Sequence, residues 1–127
     1  EEFAAPIPPL ERNRMIEAYH RRLFDVNPAV HVPAARAWSK WEGSTITLRP
    51  DPGTIERMTE DATAVAFARI ENHFFVNRGW WAEGQLIAGV DAIRPEAEFV
   101  VVDDAGHAAS EPGIQRALRD ATDAFAV

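Results

Sequence analysis

One short run constrains this chain more than any other. Residues 97–103, "AEFVVVD", form the one convincing strand pattern in a sequence whose other segments read as helices. The run is short and apolar at its centre, the kind normally buried inside a parallel sheet. A lone strand leaves both rows of its backbone donors and acceptors unpaired, which is costly when buried. Residues 98–102 must therefore pair with "STITL" at 44–48, pair with a second copy of the chain, or not form a strand.

Around that run the apolar spacing is helical. In 10–24, Ile16, Tyr19 and Leu23 recur at three and four. A second helix carries Ala34, Trp38 and Trp41 and is expected to end at Gly43 as a C-cap, after Asn27-Pro28 and Pro33 interrupt the chain. The longest pattern spans 55–76, with one stripe through Ala62, Val65, Ala66, Arg69, Ile70 and His73. A second stripe runs through Ala64, Phe67, Ala68, Glu71 and Phe75. "QLIAGVDAIR" is a weaker helix, and Ser110 is placed to cap a last one with Ile114, Leu118, Ala121 and Phe125 on one face. The expectation is a mainly α, compact helical domain, 1–127, with one short strand and a C-terminal helix.

Composition narrows the partners. A net charge of −7, with Lys40 as the sole lysine, argues against nucleic acid and anionic lipid, which need clustered cations. No apolar run approaches the roughly 20 residues that cross a bilayer, and no leader pattern is visible, so no membrane partner and a cytoplasmic location are expected. Zero cysteines remove disulfides and thiolate metal sites. Neither H-E-x-x-H nor a close histidine pair occurs, so no metal and no cofactor are expected. "DPGT" and "NRGW" read as isolated glycine turns.

The segment "VVVDDAGHAASEPG", 100–113, follows the way a serine hydrolase of the α/β type delivers its catalytic histidine. A Ser-His-Asp mechanism also needs a nucleophile and an acid. The serines Ser39, Ser44 and Ser110 stand in no G-x-S-x-G context. Four words, "PIPPLERNRMIEAYHRRL", "ARAWSKWEG", "AFARIENHFFVN" and "AEFVVVDDAGHAASEPGIQRAL", together resemble the proline iminopeptidases of the α/β-hydrolases. By that resemblance, about 1–93 correspond to the helical cap and 96–127 to a remnant of the core strand and helix. That family's oxyanion-hole segment, nucleophile elbow and aspartate-bearing strand have no counterpart among these residues.

In that family, cap glutamates take the substrate's charged amino end and aromatic groups wall the proline ring. The resemblance therefore assigns substrate binding to Glu42, Glu71 and Phe75, with Trp38 and Trp41 beside them. Trp38, Trp41, Trp80 and Trp81 could add cation–π contacts. A carboxylate pair on apolar surface orients an ammonium by charge-assisted hydrogen bonds and can serve as a general base. Glu71, Glu42 and His107 are the catalytic candidates. Plainer roles stand beside these: Glu71 paired with Arg69 or Arg78, most tryptophans in the core, His107 bonded to Asp103 or Asp104, and His20 and His31 on the surface. Two functions remain open: recognition of an amine-bearing small molecule with non-hydrolytic acid–base chemistry, or a catalytically inactive scaffold or regulatory partner. A homodimer covering 98–102 is expected in either case.

Overall fold

A computed structural model describes residues 1–93 and 97–125. The end of "QLIAGVDAIR" at Arg94, the junction 94–96 and the Phe125 side chain lie outside the described residues. The described residues hold six α-helices and no strand, so the protein is mainly α. They are α1 (Met15–Leu23), α2 (Pro28–Thr45), α3 (Pro52–Thr59), α4 (Asp61–Val76), α5 (Gln85–Ile93) and α6 (Pro112–Phe125). The chain divides into two compact units: Glu1–Thr45 with Pro50–Trp80, and Ile46–Arg49 with Trp81–Val127.

The first unit is built on α2 and α4. Small residues let helix backbones approach, and Ala34 and Ala35 of α2 and Ala64 and Ala68 of α4 are all fully buried. Tyr19 and Leu23 of α1 fill the remaining space with Trp38, and Ile7 closes it from the N-terminal segment. That segment is tied down by charge: Glu11 accepts from Arg21 at 2.6 Å and Arg22 at 2.9 Å.

Several sequence expectations need correction here. The helix around Trp38 starts at Pro28, because the Asn27 side chain caps Ala29 N–H at 3.0 Å and proline suits a first helical position. Pro33 lies inside it, giving no N–H to the Ala29 carbonyl. Gly43 does not end α2. A Cβ there would sit 3.2 Å from Met58 Sδ and 3.3 Å from Ile55 Cα, so glycine is where α3 packs closely on α2. The 55–76 pattern is two helices, parted at Glu60, whose extended ψ of 136° turns the chain. "DPGT" opens α3, with Asp51 accepting from Gly53 N–H at 3.1 Å. On α4 the core face is Ala64, Ala68 and Asn72, whereas Ala62, Ala66, Ile70 and His73 are exposed.

In the second unit the 98–102 run forms no strand. No described segment pairs with it, and without a ladder an extended run is only a loop. Phe99 is 90% exposed and Val101 67%. The "STITL" stretch instead gives its Ile46 carbonyl to the backbone N–H groups of His107 and Ala108, both at 3.2 Å. Glu111, not Ser110, precedes α6, its carbonyl accepting from Gln115. The Glu111 carboxylate braces the turn by accepting from Gly106 N–H at 2.8 Å and Leu48 N–H at 3.4 Å. Gly106 has no room for a side chain: a Cβ would lie 2.8 Å from both Leu48 N and Glu111 Oε1.

Candidate functional site

The site residues named from sequence fall on two helices of the first unit and one turn of the second. Trp38, Trp41 and Glu42 are on α2, and Glu71 and Phe75 are on α4. Helical neighbours at three and four residues share a face, which aligns Trp38 with Trp41 and Glu42, and Glu71 with Phe75. At that face the Trp38 indole N–H donates to Glu71 Oε2 at 2.5 Å, joining the two helices. The Trp38 and Phe75 rings lie 6.0 Å apart, centroid to centroid.

An aromatic cluster holds Trp38 in place. Tyr19 meets it edge-on at 5.0 Å, and Phe3 stacks on Tyr19 at 4.8 Å and also reaches Trp41 at 5.3 Å. The Tyr19 hydroxyl donates to the Phe3 carbonyl, and burial raises its pKa, so it stays a donor. Packed on three sides, Trp38 is 2% exposed, while Trp41 is 47% and Phe75 49% exposed. The outer edge of the cluster thus presents aromatic surface next to a half-buried carboxylate. A cleft of about 230 Å³ opens at the Trp41 side, lined by Glu1, Glu2, Phe3, Ala37, Lys40 and Ser44 as well; Glu71 and Phe75 are not among its walls.

The plainer roles fare unevenly. Glu71 is not paired with Arg69, whose Nε donates to the Leu23 carbonyl at 2.7 Å while its guanidinium lies over Phe24. Trp38 is the one tryptophan in the core; Trp41, Trp80 and Trp81 are each about half exposed or more, contrary to the packing role expected for most of them. His73, two residues from Glu71, is exposed and meets Trp80 edge-on at 5.4 Å.

His107 lies on an exposed turn of the second unit. Among the described residues neither Asp103 nor Asp104 bonds its ring; Asp104 faces Arg116 at 3.5 Å. Ser39 is fully buried and donates to the Ala64 carbonyl, which leaves it no exposed hydroxyl for a nucleophile's work. No group of three metal-ligating side chains occurs among the described residues.

Sequence reasoning missed the polar bond that supports α4. Asn72, fully buried, donates to the Ile16 carbonyl at 3.0 Å, and its Oδ1 meets His20 Nδ1 at 2.8 Å. His20 is thus a tethered, half-buried residue and not a surface one; His31, also half-buried, bonds the Asp25 carbonyl at 2.9 Å. Asn72 occupies an i+4 position after Ala64 and Ala68, the one signal that could have placed it inside.

No established family profile matches the chain. It is 40% identical over 153 residues to a probable proline iminopeptidase of Leptolyngbya boryana, covering 98% of this chain and 48% of that protein. It is 39% identical to a proline iminopeptidase of Arabidopsis thaliana, covering 93% of this chain and 39% of the relative. The match to the Neisseria gonorrhoeae proline iminopeptidase is 36%, covering 97% and 47%. The chain spans about half the length of these relatives or less. The aligned lengths also exceed the 127 residues of the chain, so the relatives carry residues within the matched region that it lacks.

Proposed function

From the premise that this chain is a homologue of the proline iminopeptidases over about half their length, we propose that it recognises an amine-bearing, amino-acid-like or cyclic-amine small molecule. The observation that carries this reading is the part-buried Trp38–Glu71 bond beside the aromatic cluster. It sets a carboxylate beside the half-exposed Phe75 ring, with Glu42 one helical turn from Trp38. A carboxylate takes the ammonium by charge-assisted hydrogen bonds, and the aromatic faces favour both a cation and an apolar ring. Glu42 and Glu71 are the groups assigned to exchange a proton with the bound amine. His107, in the second unit, is a separate candidate that rests on the family likeness alone.

The test is calorimetric titration of the parent, Glu42→Gln and Glu71→Gln proteins with proline amide. Saturable binding by the parent, weakened at least about tenfold by each substitution, is the outcome expected for loss of one charge-assisted bond. Absence of binding by the parent would overturn recognition of this ligand class and leave the scaffold or regulatory reading.

A further inference from the structure

Trp38 is the least exposed of the candidate site residues, and its indole bonds another of them, Glu71. Its ring is 2% exposed and wedged among Tyr19, Phe3 and Phe75, so it offers no face to a ligand. Its indole N–H is a donor only, and it is spent on Glu71 Oε2. Among the described residues Glu71 Oε1 has no partner, and the residue is half-buried. A glutamate side chain has three rotatable bonds to order before it can hold a cation, and a locked acceptor binds better because that ordering is done in advance.

We propose that Trp38 is a positioning residue that fixes the Glu71 carboxylate, reserving Oε1 for the ammonium or protonated ring nitrogen of the ligand. This rests on the reading of Glu71 as the amine site and adds to it the residue that sets its geometry. The division of labour follows from the two oxygens. Oε2 faces inward, where the indole anchors it to the rigid core; Oε1 is the oxygen left for the ligand. The half-exposed Phe75 ring, one turn along α4 from Glu71, supplies the apolar wall that limits the ligand to a compact ring or side chain. The indole N–H also keeps water from competing for the carboxylate on its inner side.

The experiment is a double-mutant cycle read by calorimetry with proline amide: parent, Trp38→Phe, Glu71→Gln and the double variant. Phenylalanine keeps an aromatic ring and deletes the N–H. Trp38→Phe should weaken binding about tenfold, and adding it to Glu71→Gln should change little, because Trp38 acts only through Glu71. Equal binding by the parent and Trp38→Phe would overturn this inference alone. Losses that simply add would also overturn it, since Trp38 would then act through packing. Failure of the parent to bind would overturn the amine site and this inference together. If Trp38→Phe does not fold, solvent exchange of the Trp38 indole proton in the parent decides. Saturating proline amide should slow it by ordering Glu71, and an unchanged rate would contradict the proposal.

Discussion

Asn72 occupies a position where helix periodicity calls for an apolar side chain, and its two bonds explain why it is polar. It satisfies the Ile16 carbonyl of α1 and the ring of His20 from a site with no access to water. Replacing it with leucine leaves both partners unsatisfied, and the expected loss in denaturant unfolding is roughly 1–3 kcal/mol. An unchanged midpoint would mean that water replaces the amide. The same physics governs how legible the candidate site was. Glu42, Glu71 and Phe75 were found by resemblance, and Glu71 also by its place on an apolar stripe. The indole bond that locks Glu71 was invisible, because a donor on one helix and an acceptor 33 positions away share no local pattern.

At the scale of elements, most helices were legible, but their boundaries were not, and α3 was merged with α4. The periodicity through Ile16, Tyr19 and Leu23 marks the inward side of α1, because a 3.6-residue repeat must bury one face. That side buries Tyr19 and Leu23 with Ala18 and half-buries Ile16. Breakers misled at both ends of α2, where Asn27 and Pro28 start a helix and Gly43 sits within it for close packing. Gly43→Val should therefore destabilise by roughly 1–3 kcal/mol through overpacking against Ile55 and Met58, read as a lower unfolding midpoint. The N-terminal segment carries its own pH dependence. Bonds from Arg22 and then Arg21 lower the Glu11 pKa from 4.5 to about 2. Its contribution is present above the unfolded value near 4.5 and is lost as pH falls towards 2. Acid titration followed at α1 should show a loosening in that window, and Glu11→Gln should lack it. The missing strand has the plainest lesson: β-branched composition supplies a strand's side chains but not the partner that makes it a strand.

At the scale of the whole molecule, exposed apolar residues occur in both units, and the second has two runs of them. Leu86, Ile87, Val90 and Ile93 of α5 are all exposed, as are Phe99, Val100 and Val101. We propose that these residues are covered in a homodimer, since large apolar exposure marks an interface. Light scattering at micromolar concentration should give twice the monomer mass, and a stable monomer would exclude it. No helix among the described residues is long and apolar enough to cross a membrane. That 1–127 behave as one cooperative domain is likewise a proposal, checked by whether heating gives one transition or two.

An amine bound at the Glu71 edge of the aromatic cluster would be sensed by the Trp38 indole, and the four tryptophans provide the probe. Indole N–H signals of the labelled protein should be followed as proline amide is added, with Trp38 identified by its loss in Trp38→Phe. The Trp38 signal should move saturably, because its acceptor is the carboxylate proposed to take the amine. A Trp38 signal that stays fixed while the ligand saturates the protein would place the binding elsewhere and contradict the claim.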